Sequence, residues 1–140
     1  MSETHINRLK ENRIKLTPKR RAIISFFENQ DRCMAPETVW ESLRKQFAHF
    51  GLPSVYRNLD LFEKCGILTK VQKSDRRLYY ALCKSDRQKQ HYLLCVECGK
   101  VDDLPVCFLD HEETLKGFKI LNHSVQVEGV CPDCKEETHQ

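Results

Sequence analysis

The strongest constraint on this chain is a pair of short turns, Cys95-Val-Glu-Cys98 and Cys131-Pro-Asp-Cys134. A tetrahedral ion can take two thiolates from each such turn, so the pair reads as a closed four-thiolate zinc site. With every position filled by protein there is no place for water or substrate, and the role is structural. Thirty-two residues lie between Cys98 and Cys131, so metal binding is released as folding free energy only when that stretch closes on itself. Buried free cysteines, a disulfide pair and a thioredoxin-like redox turn are the competing readings; two matched turns in one short chain favour zinc.

A chain of 140 residues makes one ordinary domain or two small ones, and the smaller of two needs such a staple. Eight cysteines would also suit a secreted disulfide scaffold. The start, Met-Ser-Glu-Thr-His-Ile-Asn-Arg, carries no apolar signal segment, and no later run is long enough to cross a membrane. The expectation is a cytoplasmic protein, without membrane or small-molecule substrate, whose thiols are reduced or metal-bound. Charge is uneven along the chain: residues 1–83 hold sixteen Lys/Arg against nine Asp/Glu, and residues 84–140 hold seven against eleven. The halves come to +7 and −4. A basic first half points to a polyanion, while an acidic second half excludes coating of nucleic acid along the whole length.

In chain order, residues 3–13 read as a charged helix, and Thr17-Pro18 supplies an N-cap followed by proline at the first helical position. Ile23, Phe26 and Phe27, with Ala22 and Ile24 beside them, form the core face of the helix that follows. Pro36 opens another, with Val39, Leu43 and Phe47 at i, i+4 and i+8. A third runs from the Gly51-Leu52-Pro53-Ser54 break to Gly66, with Val55, Leu59 and Phe62 inward and Tyr56, Arg57, Asn58 and Lys64 outward. Residues 67–71 and 78–82 read as strands around the polar turn Ser74-Asp75-Arg76-Arg77. Three helices and a basic-tipped hairpin make a winged helix-turn-helix over residues 1–83.

In such a unit the third helix enters the major groove and basic residues around it hold phosphates. Arg57 is the candidate base reader, since a guanidinium donates two parallel hydrogen bonds to guanine O6 and N7. Ser54 and Tyr56 lie beside it on the same helix start, and Lys15, Arg76 and Arg77 are the positioning cations. The plain alternative is an ordinary charged surface on a small helical domain; the basic balance of this half favours double-stranded DNA.

The run Leu16-Thr17-Pro18, then Ser54-Val55-Tyr56-Arg57-Asn58-Leu59, Cys95-x-x-Cys98-Gly99-Lys100-Val101, Gly117-Phe118, Asn122-His123-Ser124 and Gly129-Val130-Cys131-x-x-Cys134 resembles the ferric-uptake-regulator (Fur) superfamily over nearly the whole chain. The resemblance implies an α+β protein, with an N-terminal winged-helix domain and a small α/β dimerisation domain, residues 84–140, that carries the structural four-cysteine zinc site. It implies a homodimeric, metal-responsive repressor that binds a palindromic operator and is not an enzyme. Within the second half, residues 90–96 and 119–127 read as strands and residues 106–115 as a helix.

Relatives sense metal through histidines and carboxylates, and this chain departs from their pattern. The histidine-rich run before the first Cys-x-x-Cys is reduced here to Lys89-Gln90-His91-Tyr92, Cys33 stands where a histidine is usual, and Ala81 stands near the usual hinge carboxylate. Two sets of sensory ligands fit the resemblance. One is His91, Asp110 and His123, with Lys89 at the fourth position; the other is Cys83, His91, Asp103 and Cys33, which resembles zinc-uptake regulators. Thiolate with imidazole favours zinc, whereas imidazole with carboxylate also suits iron or manganese as the second divalent ion. His91, His123, Cys83 and Cys107 are equally at home as ordinary hydrogen-bonded or packing groups, and Cys65 reads as a packed helix residue.

Three classes of function remain: a metal-responsive DNA-binding repressor, a zinc-ribbon adaptor that binds protein, and a thiol oxidoreductase. The near rival to the first is a redox- or peroxide-responsive repressor of the same fold, which would use Cys33, Cys65, Cys83 and Cys107. A zinc-ribbon adaptor would leave the basic winged helix without a task. A thiol oxidoreductase needs a low-pKa thiolate at a helix start, and neither Cys-x-x-Cys is followed by a stretch that reads as a helix.

Overall fold

The structure, a computed structural model, describes residues 2–85, 90–105, 107, 109 and 112–138, the side chains of 137 and 138 excepted. Lys89, Asp110, His111 and His139 lie outside the described residues. The chain divides into two compact units, 1–83 and 84–140.

The first unit begins with α1 (Glu3–Glu11), capped by the Ser2 side chain, which accepts from His5 N at 3.4 Å. Helix α2 (Pro18–Glu28) starts as its sequence dictates: Thr17 Oγ1 accepts from Arg20 N at 3.2 Å, and Pro18 occupies the first turn, where no backbone donor is needed. Its buried face is Ile23, Ile24 and Phe27. Phe26 is only half-buried and lies edge-on to Phe27, because 100° per residue turns it off the stripe that Ile24 completes.

Helix α3 (Pro36–Leu43) stops before Phe47, and a 3-10 turn, Arg44–Gln46, follows. The expected helical position of Phe47 does not hold. The chain instead turns so that Phe50 is buried and its carbonyl accepts from Trp40 Nε1 at 2.7 Å. Helix α4 (Leu52–Lys64) buries Val55, Leu59 and Phe62 and ends at Gly66, whose φ of 81° a side chain would oppose. Strands β1 (Leu68–Gln72) and β2 (Leu78–Leu82) pair antiparallel, from Leu68 opposite Leu82 to Gln72 opposite Leu78. Met34, just before α3, exchanges backbone hydrogen bonds of 2.7 and 2.9 Å with Tyr80, which locks the hairpin to the helices. One continuous apolar core results, in which Ile23, Phe27, Val39, Leu59 and Phe62 are fully buried.

The second unit is a three-stranded sheet in the order β4-β3-β7, made of β3 (His91–Cys95), β4 (Val101–Asp103) and β7 (Val125–Gly129). β4 is antiparallel to β3, and β7 is parallel to it. Strands β5 (Thr114–Leu115) and β6 (Phe118–Lys119) form a hairpin, and α5 (Pro132–Thr138) closes the described chain. The helix expected over residues 106–115 is absent from the described residues. Lys116 and Gly117 both have positive φ, 50° and 83°, the backbone of a two-residue hairpin turn, and that turn draws Leu115 into pairing with Phe118. The strand expected over 119–127 is likewise displaced to Val125–Gly129, in register with β3. Among the described residues no helix is long and apolar enough to cross a membrane.

Candidate metal centres and nucleic-acid interface

The parallel pairing of β3 and β7 builds both candidate metal centres. Parallel strands leave the sheet at the same end, and Cys95 is opposite Gly129, with Val96 N donating to Gly129 O at 2.9 Å. The two Cys-x-x-Cys turns therefore emerge side by side. One ligand atom from each of Cys95, Cys98, Cys131 and Cys134 lies within 4.8 Å of all the others. Sγ of Cys98 and Sγ of Cys131 are 3.7 Å apart. Tetrahedral zinc with Zn–S bonds near 2.3 Å places its sulfurs about 3.8 Å from one another, so the spacing fits that ion.

The thiols are tuned unequally. Burial raises the Cys95 pKa, but N–H groups of Cys131 (3.3 Å) and Cys98 (3.5 Å) donate to its sulfur and, with Glu97, bring it down to about 6. Cys134 moves the other way, raised first by its contact with Cys131, and Cys98 is raised by burial. Gathered thiolates repel one another, and a dication lets all four ionise together. Against the expectation from sequence, a helix does accompany the second turn: α5 contains Cys134 and starts with Pro132 at the first position and Asp133 in the first turn. The case against an oxidoreductase thus rests on the convergence of four thiols in one cluster, not on a missing helix.

At the opposite end of the same strand pair, about 13 Å away by strand rise, a second cluster forms. His91 begins β3 and faces Val125, the first residue of β7, which places His123 two residues upstream beside it. The two imidazole rings are 4.6 Å apart and perpendicular. Cys107 joins them, its Sγ 3.7 Å from Nε2 of His123, and ligand atoms of His91, Cys107 and His123 all lie within 4.8 Å of one another. Sequence reasoning missed Cys107 as a partner of these histidines, since a thiol sixteen residues from His123 has no motif spacing.

The other candidate ligands are placed separately. Asp103 pairs across the strands with Tyr92, so alternation sends it to the face opposite His91, and it is not part of the His91 cluster. Its Oδ1 is buried and accepts no hydrogen bond among the described residues. Cys33 and Cys83 are buried in the first unit; Cys83 N donates to Ile67 O at 2.9 Å. Asp110 lies outside the described residues.

In the first unit, the start of α4 presents Tyr56 and Arg57 to solvent, with Ser54 half-buried beside them. Tyr56 donates its hydroxyl to Glu37 on α3 at 2.6 Å, which raises the tyrosine pKa and lowers that of the carboxylate. Asn58 is not the outward residue expected. It is half-buried, accepts from Arg20 Nε at 3.0 Å and donates to Ser54 O at 3.0 Å. Arg20 also donates to the carbonyl of Lys15 at 2.7 Å, so one guanidinium braces the start of α2 against α4. Arg76 and Arg77 are exposed at the hairpin tip, where Arg76 has a φ of 64° and Asp75 accepts from Arg77 N and from the Tyr79 hydroxyl.

Comparison with known proteins agrees with this architecture. The model of the ferric uptake regulator family matches residues 11–128. A peroxide operon regulator of Bacillus subtilis (strain 168) is 29% identical over 136 residues, covering 94% of this chain and 92% of its own. The ferric uptake regulation protein of the same strain is 32% identical over 142 residues, covering 94% and 95%. Among solved structures, the ferric uptake regulator of Pseudomonas aeruginosa with manganese has a TM-score of 0.63 at 21% identity, over 91% of this chain and 98% of that one, and shares the fold. The peroxide-sensing PerR of Streptococcus pyogenes has a TM-score of 0.55 at 27% identity, over 94% and 91%. Matched across both units, and carrying the paired Cys-x-x-Cys turns as one cluster, the chain belongs to the ferric uptake regulator family.

Proposed function

We propose that the protein is a metal-responsive transcriptional repressor that binds a palindromic operator in double-stranded DNA as a cytoplasmic homodimer, with one structural zinc held by Cys95, Cys98, Cys131 and Cys134. Members of this family are transcriptional regulators, not enzymes. The observation that carries the reading is the division of labour within one chain: an exposed helix start with Arg57 and a basic hairpin tip in one unit, two clusters of metal-ligand type in the other. Two copies must offer their α4 helices to successive major grooves, roughly 34 to 36 Å apart or a multiple of that. In the reading helix Arg57 is the base contact, Ser54 and Tyr56 flank it, and Lys15, Arg76 and Arg77 hold phosphates.

Metal acts as the signal if it prefers the DNA-competent state. A shift from mostly idle to mostly competent requires about 10⁴-fold tighter binding to that state, roughly 5.5 kcal/mol. The peroxide-responsive relatives support a second reading in which oxidation is the signal. Burial of Cys33, Cys65, Cys83 and Cys107 weighs against their direct attack by oxidant.

The test is operator selection from a random duplex library, followed by binding at several salt concentrations with added zinc, with chelator, and after peroxide. Metal-dependent specific binding with a steep salt slope is expected. Binding that is identical with zinc and chelator but abolished by peroxide would select the oxidative reading, and no duplex binding at all would sink both.

A further inference from the structure

The cluster at the start of β3 and β7 differs from the four-cysteine cluster in chemistry as well as place. His91 is 3% exposed and Cys107 is 9% exposed, so both are withdrawn from water. Each arrives from a different segment: His91 from β3, His123 from the stretch leading into β7, and Cys107 from the connection between β4 and β5. Parallel pairing fixes the two histidines, and Cys107 brings one sulfur to them.

The spacing is informative. Zinc bound to one sulfur near 2.3 Å and one imidazole nitrogen near 2.05 Å, at a tetrahedral angle, separates those two atoms by about 3.6 Å. Cys107 Sγ and His123 Nε2 stand 3.7 Å apart. The perpendicular imidazoles, 4.6 Å between centroids, bring their ring nitrogens toward the same volume as the sulfur. Charge is consistent as well: one thiolate offsets half of a dication, which lowers the cost of holding that ion among buried groups.

We infer that Cys107 joins His91 and His123, already candidate sensory ligands, as the thiolate of the second metal site, giving a two-imidazole, one-thiolate set that takes a borderline divalent ion, zinc in preference to manganese or iron. The inference deepens the metal-responsive reading and rests on it for what the site does, while the ligand assignment stands on geometry alone. Cys107 decides the ion. Two imidazoles with a carboxylate or water would accept most late divalent metals in their usual order, whereas a thiolate biases the set towards zinc and its neighbours. Three protein ligands leave a fourth position for water or another donor. Metal binding here also ties His91, Cys107 and His123, which come from three separate segments of the chain, to one another.

The experiment uses the full chain, with zinc already in the four-cysteine cluster, and titrates cobalt(II) in the absence of DNA. One cobalt per chain is expected to bind without release of zinc, giving intense tetrahedral visible bands and a sulfur-to-cobalt charge-transfer band in the near ultraviolet. Cys107→Ser should keep the zinc, lose the charge-transfer band, and weaken cobalt and zinc binding by at least the 10–100-fold typical of losing a mere supporting contact. Cys107→Asp should narrow the preference for zinc over manganese. A charge-transfer band undiminished in Cys107→Ser overturns the inference. If that variant does not fold, X-ray absorption of the cobalt-loaded unaltered chain decides: one sulfur neighbour per cobalt at the second site supports the site, and a shell of nitrogen and oxygen alone overturns it. The latter result would leave metal-dependent DNA binding intact; a confirmed sulfur ligand with no effect of metal on DNA binding would instead remove the metal-responsive reading and leave the site.

Discussion

The two units solve the same problem, how to hold a small chain segment in one conformation, by different means. In residues 1–83 the large apolar side chains of four helices and a hairpin meet in one core, and Phe27, Leu59, Phe62 and Ile67 have no exposed surface. In residues 84–140 the balance is reversed: Leu115 is 53% exposed, Phe118 77% and Leu121 85%, while the buried set includes His91, Cys95 and Cys107. The first unit's interior is almost wholly aliphatic and aromatic, whereas among the described residues of the second only Tyr92, Leu94 and Val101 join side chains of metal-ligand type inside. The lesson is that ligand clusters substitute for a core when a segment is too short to bury one, and the same substitution makes that segment's order responsive to an ion.

The largest effect is expected at the four cysteines. Cys131→Ser should remove the structural zinc and with it a contribution of about 10 to 16 kcal/mol in apparent metal-binding free energy. The expected outcome is a chain that is monomeric or aggregated, with the helical signal of the first unit retained; a stable zinc-free dimer would show that the second unit folds without its clamp. The matching lesion in the first unit is Phe62→Ala, which should cost about 3 to 5 kcal/mol in denaturant unfolding and leave zinc content unchanged.

Smaller effects sharpen the assignment of DNA contacts. Arg57→Ala should cost about 1 to 3 kcal/mol on the specific operator and relax its sequence preference. Arg76→Ala should weaken specific and non-specific duplexes alike and reduce the salt slope by about one. Equal losses on both DNAs for Arg57→Ala would contradict its role as reader. The smallest expected change is at Glu37, whose carboxylate is lowered by the Tyr56 hydroxyl. A group with a depressed folded-state pKa stabilises the fold above its unfolded value and loses that contribution as pH falls through the folded one. For a contact so close to solvent this amounts to no more than about 1 kcal/mol, and Glu37→Gln should abolish it along with the elevated pKa of Tyr56.

Local signals carry far in the first unit. Thr17-Pro18, the Gly51 break and Gly66 each set a helix boundary through backbone chemistry that needs no distant partner, and Leu68–Gln72 pairs with Leu78–Leu82 across a short turn. The second unit is harder to read because its decisive contact is parallel and thirty-four residues apart, His91 with Val125; periodicity marks a strand without naming its neighbour. The spacing over residues 106–115 suggests a helix, yet its end, Thr114 and Leu115, belongs to the hairpin that the Lys116-Gly117 turn closes. Cys131 and Cys134 are legible as ligands from spacing alone, whereas Cys107 becomes visible only once the register of β3 and β7 brings the histidines together.

If metal, rather than its few buried apolar side chains, holds the second unit together, hydrogen exchange on the full chain before and after zinc is removed by a strong chelator will read it out. Amides of His91–Cys95 and Val125–Gly129 should lose protection by several orders of magnitude on chelation, while those of Pro18–Glu28 and Leu52–Lys64 keep theirs. Full protection of both strands in the metal-free chain would contradict it, as would loss of protection to the same extent in both units.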